Sequence, residues 1–154
     1  MRNKTCCFSG HRDIPAEDIQ NVRQRLYIEI EKLVEKGVVF YGSGAARGFD
    51  LLAAEIVLEL KQKYPYIRLI LVLPCLNQTK YWNEKDCTKY NKIKDKSDKI
   101  KVLSNDYYKG CMLERNRYLV DNSAYIICYK RRNYGGTAYT VSYAEKHNLN
   151  IVFI

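Results

Sequence analysis

The stretch Tyr41–Glu55, Y-G-S-G-A-A-R-G-F-D-L-L-A-A-E, decides how the chain is read: a short apolar strand runs into three glycines, which give way to an apolar helix. Gly42, Gly44 and Gly48 can take backbone angles closed to other residues and let a bound group come close to the main chain. Such a turn, Ser43 included, is expected to expose N–H groups. With the helix starting at Phe49 or Asp50, its unpaired amides and positive dipole end point into the same space, which suits a phosphate or carboxylate. Arg47 adds a planar, permanently charged fork for that anion. A tight strand-to-helix connection with Asp50 as N-cap explains the same residues without a ligand.

Working back toward the N-terminus, Val38–Tyr41 is the strand that feeds this turn. Before it, Ile19, Val22, Leu26, Ile30 and Leu33 form one apolar stripe of a long helix, which Pro15 opens and Gly37 stops. The first strand is Thr5–Ser9, stopped by Gly10. Ser9-Gly10-His11-Arg12 then sits on its carboxyl end, where open α/β sheets place their ligands. His11 suits a proton carrier, a hydrogen-bond donor or a brace for the neighbouring loop.

Toward the C-terminus, the helix from Asp50 to about Lys63 is apolar on most sides and is expected to be deeply packed. Ile67–Leu73 reads as a strand covered on both faces. Thr79–Ser97 is ambiguous and in part helical, with Tyr81, Trp82, Tyr90 and Ile93 as its packing residues. A short strand near Ile100–Leu103, a loop over Ser104–Gly110 and a helix over Cys111–Asn122 carrying Arg115 and Asn116 follow. Ala124–Tyr129 is a fifth strand, Gly135-Gly136-Thr137 opens a helix to about His147, and Asn150–Ile154 is a sixth strand. Strands alternating with helices predict a single Rossmann-like domain over residues 1–154, with a doubly wound, mainly parallel α/β sheet. Both glycine turns then lie at the carboxyl edge and open into one pocket. In the second, Gly135 and Gly136 permit close approach, while the Thr137 hydroxyl and the helix amides can bind phosphate oxygens.

At 154 residues the chain is long enough to bury roughly 70% of the surface its unfolded form exposes. The apolar run after Met1 is too short for a signal peptide or a membrane span, so a cytoplasmic location is expected. None of the six cysteines forms a C-x-x-C pair, so no metal is expected. No cofactor is called for either. Net charge is +9, from 26 Lys plus Arg against 17 Asp plus Glu, which favours anionic partners such as nucleotides or nucleic acid. Lys80–Lys101 has interspersed acids and reads as a solvated helix face, while Lys130-Arg131-Arg132 forms a basic lip before the second glycine turn.

The motifs C-C-F-S-G-H-R at Cys6–Arg12, G-A-A-R-G-F-D-L-L-A-A-E at Gly44–Glu55, and R-N-R-Y-L-V-D-N-S followed by G-G-T resemble the YpsA-like branch of the SLOG superfamily over nearly the whole chain. That superfamily is Rossmann-like and includes the Lonely Guy phosphoribohydrolases and the DprA/Smf single-stranded DNA binders. The resemblance implies a nucleotide or nucleotide-derived ligand. Arg115-Asn116 matches the Arg-Lys of the Lonely Guy enzymes, and Gly135-Gly136-Thr137 matches a shortened glycine loop. Tyr134 replaces their proline, and Ala138, Tyr139, Thr140 and Val141 follow Thr137 where those enzymes carry a glutamate. Asp50 is the substitute carboxylate nearest the first turn.

Three function classes follow. The leading one is a nucleotide-binding or sensing domain using both glycine turns, Arg12, Arg47 and Arg115. The second is an N-glycosidase or phosphoribohydrolase, with hydrolysis expected to be very slow. The third is a binder of single-stranded nucleic acid. A dehydrogenase fits poorly, because the glycines follow the second strand and Ile67–Leu73 ends without a ribose-binding acid. No membrane partner is expected, and self-association stays open. Arg115 is expected to reach the ligand; the competing role is an ion pair with Asp50 or Asp121.

Overall fold

The computed structural model describes residues 1–154. Its strands are β1 (Thr5–Gly10), β2 (Phe40–Ser43), β3 (Arg68–Leu73), β4 (Lys99–Val102), β5 (Tyr125–Tyr129) and β6 (Asn150–Phe153). The helices are α1 (Ile19–Glu35), α2 (Phe49–Lys63), α3 (Glu84–Lys96), α4 (Cys111–Asp121) and α5 (Gly136–Lys146), and a short 3-10 turn, Arg2–Lys4, precedes β1. All strand pairs are parallel, in the order β4-β3-β2-β1-β5-β6. This is a Rossmann-like α/β fold with helices on both faces.

The order explains the layering. From β1 the chain steps outward through β2, β3 and β4, then returns to the other side of β1 for β5 and β6. Right-handed crossovers running in opposite directions put their helices on opposite faces. The larger core cluster, 27 buried residues, accordingly joins the sheet to α1, α2 and α3, while a smaller one of 9 lies under α4 and α5.

Several boundaries differ from the sequence reading for local reasons. Residues 15–18 form a turn closed by Asp18 N–H donating to the Pro15 carbonyl at 2.9 Å, so α1 begins at Ile19, which stays 39% exposed. Strand β2 runs two residues later than expected, because Val38 N–H still bonds the end of α1 at the Leu33 carbonyl. Gly42 and Ser43 are therefore strand residues, paired with Ile70 and Leu71. In the ambiguous stretch, Asn83 caps α3 by accepting from Asp86 N–H at 2.8 Å. Tyr90 and Ile93 pack as expected, whereas Tyr81 is 85% exposed. No helix is long and apolar enough to cross a membrane.

Candidate functional site

Open α/β sheets bind ligands beyond the carboxyl ends of the strands where the order reverses. Here that point lies between β1 and β5, and a cavity of about 280 Å3 sits there. It brings together Ser9, Gly10, His11, Arg12, Asp50, Arg115, Asn116, Gly136 and Thr137, all singled out in the sequence, and adds Asp13, Met112, Arg132 and Tyr134. The loops after β1 and β5 and the turn after β2 thus meet at one edge. Arg47 and Gly48 line adjoining cavities. Gly42, Ser43, Gly44 and Gly135 do not line the crevice.

The first glycine turn is partly closed on itself: four of its amides, those of Ala45, Ala46, Phe49 and Leu51, are taken up by the protein, while those of Gly44, Arg47, Gly48 and Asp50 have no protein acceptor. Ser43 Oγ donates to the Asp50 carbonyl at 2.9 Å and accepts from Ala45 N–H at 3.1 Å. Ala46 N–H donates to Asp50 Oδ2 at 3.4 Å, Phe49 N–H to the His11 carbonyl at 3.1 Å, and Leu51 N–H to the Ala46 carbonyl at 3.2 Å. Its glycines make room for the protein itself. A Cβ on Gly44 would lie 2.4 Å from the Arg115 guanidinium carbon. Gly48, the N-cap of α2 at φ +78°, would drive a Cβ to 2.2 Å from the Arg12 carbonyl. Asp50 is not the N-cap; it sits in the first turn and holds the loop ahead of it.

The second glycine turn is open. The first backbone bond of α5 is Tyr139 N–H to the Gly135 carbonyl, and no side chain caps the helix. The amides of Gly136, Thr137 and Ala138 therefore lack an acceptor, at the positive end of a helix whose first two residues line the crevice.

Arg115 is 3% exposed. Its Nη1 donates to the Gly44 carbonyl at 2.5 Å, and its Nε donates to Asn116 Oδ1 at 2.8 Å. Asn116 Nδ2 donates to Thr140 Oγ1 at 3.0 Å, and that hydroxyl donates to the Gly136 carbonyl at 2.8 Å. One chain of hydrogen bonds thus ties the turn after β2 to the start of α5. Thr140 was not recognised in the sequence; its only signal is a place one turn beyond Thr137. Neither Asp50 nor Asp121 is in ion-pair contact with Arg115.

His11 braces the β5–α5 loop. Its Nε2 accepts from Arg131 N–H at 2.7 Å, and Arg132 Nη2 lies 3.2 Å from Nδ1. Burial, then the Arg132 charge, lowers its pKa below the ordinary 6.5. The Arg131 guanidinium covers the Tyr129 ring at 4.2 Å, and Arg132 faces Asp13 at 3.5 Å. On α5, Glu145 is exposed and does not line the crevice.

Burial raises the Asp50 pKa from 3.8 to about 6, against the opposing pull of Arg115, the Ala46 amide and Arg12. A carboxyl with a raised folded pKa favours folding while protonated, so this contribution falls away as pH rises from about 4 through 6. Asp50→Asn keeps an acceptor for Ala46 N–H without the buried charge. It is expected to stabilise the protein by up to about 2 kcal/mol at pH 8 and by little at pH 4. His11 has the opposite sign: its neutral form contributes stability that is fully present above 6.5 and lost as pH falls through the lowered value. It is common to both proteins, so the difference in thermal midpoint between variant and wild type isolates Asp50; a difference that is flat with pH would contradict the assignment.

The chain belongs to the YspA SLOG family, whose model matches residues 9–154. A UPF0398 protein of Halalkalibacterium halodurans is 30% identical over 131 residues, covering 83% of this chain and 69% of the relative. One from Brevibacillus brevis is 28% identical, covering 81% and 68%. Among solved structures, DNA processing protein A of Helicobacter pylori, described for its single-stranded DNA binding mode, matches 97% of this chain at a TM-score of 0.67 and 20% identity. DNA processing protein A of Streptococcus pneumoniae matches 98% at 0.71 and 15% identity. The chain spans 64% and 50% of those two proteins, and the likeness is one of fold.

Proposed function

We propose that the crevice binds a nucleotide phosphate and that the nucleotide belongs to a single strand of nucleic acid. The observation that carries the phosphate is the open start of α5: unpaired amides of Gly136 and Thr137 face a cavity that also receives Arg12 and Arg132. Anions are stabilised at such a helix end by both the N–H groups and the dipole. Arginine adds charge-assisted bonds in a geometry matched to phosphate.

A strand is supported by the rim. Tyr81, Tyr107 and Tyr134 are 85%, 60% and 72% exposed, and Lys80 and Arg132 lie over the rings of Tyr81 and Tyr134 at 5.4 and 5.7 Å. Exposed aromatic rings interleaved with cations are how proteins hold unpaired bases and their backbone. The fold likeness to a protein described as binding single-stranded DNA points the same way. A free nucleotide is the second reading, favoured by the small volume of the crevice, about 280 Å3.

The two separate in a binding titration with fluorescent oligo(dT). The strand reading expects saturable binding whose affinity falls with salt by a log–log slope of about 0.7 for each phosphate contacted. The free-nucleotide reading expects a mononucleotide at 100 times its dissociation constant to add about 2.7 kcal/mol of stability, with no gain from lengthening it. No binding of either probe would refute the phosphate site.

A further inference from the structure

The chain has one tryptophan, and it lies beside the crevice. Trp82 lines a second cavity, of about 510 Å3, that shares Arg12, Ala46 and Met112 with the first. The Arg47 guanidinium carbon sits 5.5 Å from the centre of its ring system, and Tyr90 braces Trp82 edge-on at 5.4 Å. The exposed Tyr81 and Tyr107 stand on the same walls, and no carboxylate does. Gln78 is 8% exposed on the same wall: its Nε2 donates to the Gly44 carbonyl across a long 3.4 Å, and its side chain lies beside the Tyr90 hydroxyl.

This chemistry differs from that of the crevice. The crevice offers charge and amides to an anion. The second cavity offers a braced indole, a flat guanidinium, further rings and two side-chain amides, Asn77 and Gln78. Planar heterocycles stack on aromatic rings and on arginine planes, and amides bond their polar edges.

We propose that the second cavity seats a nucleobase, stacked on the Arg47–Trp82 pair, with its edge toward Asn77 and Gln78. The proposal rests on the phosphate reading above, since the walls common to both cavities join base and phosphate. In a strand, the base is that of the nucleotide held in the crevice or of its neighbour; in a free nucleotide, it is the ligand's own.

Trp82 supplies all of the protein's tryptophan emission, so stacking on it is read directly. The probes are a short oligo(dT), an abasic sugar-phosphate strand of equal length and a mononucleotide. Oligo(dT) is expected to quench the emission and to bind at least about tenfold more tightly than the abasic strand, the scale of one stacked base. Trp82→Ala should abolish that preference while leaving abasic binding unchanged. Because Trp82 also braces Tyr90, Arg47→Lys is the second variant: it keeps the charge, discards the plane, and should reduce the preference severalfold. Quenching by the mononucleotide with no gain from the strand keeps the base seat and assigns a free nucleotide. Equal affinity for both strands without quenching overturns the base seat and leaves the phosphate site standing. If none of the three probes binds, both fall.

Discussion

Replacing Arg115 by alanine is expected to lower the stability of the unliganded protein by about 3 kcal/mol, the scale of removing a buried, hydrogen-bonded charge. At roughly 2–4 °C per kcal/mol for a chain of this size, the thermal midpoint should drop by about 10 °C. From sequence, this arginine is expected to reach the ligand, with an ion pair to Asp50 or Asp121 as the competing role. The structure gives it a holding role as well: Arg115 lines the crevice and is 3% exposed. Its guanidinium is sealed against the Gly44 carbonyl and bonded through Asn116 and Thr140 to the start of α5. Loss of Arg115 leaves the Gly44 carbonyl without its shortest bond and frees two turns to drift apart. Nucleotide affinity should also fall, as a consequence of that drift. A variant that melts with the wild type while losing affinity would restore the direct-contact role.

The largest effect on binding is expected at Arg12. Its side chain stands where three cavities meet, is exposed, and has no ion-pair partner. Charge-assisted bonds to phosphate contribute about 1.5–3 kcal/mol, so Arg12→Ala should weaken binding by roughly ten- to a hundredfold. For a strand, the salt slope should fall by about 0.7, one phosphate contact fewer. Stability should stay within about 0.5 kcal/mol of wild type, because a surface side chain without partners is removed. Oligo(dT) titrations at several salt concentrations, with a melting curve as control, check all three outcomes. An unchanged slope would place the phosphate elsewhere.

The fold was legible because most strands announce themselves by an apolar run and most helices by their spacing or by glycine and proline boundaries, α3 within the ambiguous Thr79–Ser97 and the lysine-bearing β4 being the exceptions. Ile67–Leu73 and the α2 run Leu51–Leu60 are the clearest cases, and both are core in the structure. Strand order was not legible. It depends on which side of β1 the chain returns to after β4, and no local signal in Ser104–Gly110 states that.

At the site, the positions were more legible than the reasons for them. Gly44 and Gly48 suggested room for a ligand, yet a Cβ at either would strike Arg115 or the Arg12 backbone. A sequence shows that space is needed near the main chain, and only the fold shows what fills it. The amides of the first turn were likewise expected to be free. Ser43 and Asp50 use two of them, those of Ala45 and Ala46, through contacts between residues two and four apart that residue type alone does not reveal. The second turn looked weaker as a bare G-G-T, yet its Gly136, Thr137 and Ala138 amides are open at the start of a helix that lines the crevice. Tyr134, noted only as a departure from the family's proline, proves to be a crevice wall.

The most direct test is the structure of the protein bound to a short oligonucleotide or a mononucleotide. The phosphate is expected within hydrogen-bond reach of the Gly136 and Thr137 amides and of the Arg12 guanidinium, between the loops that follow β1 and β5. A phosphate bound only to lysines away from that edge, such as Lys99 and Lys101 on β4, with the start of α5 left empty, would contradict the account.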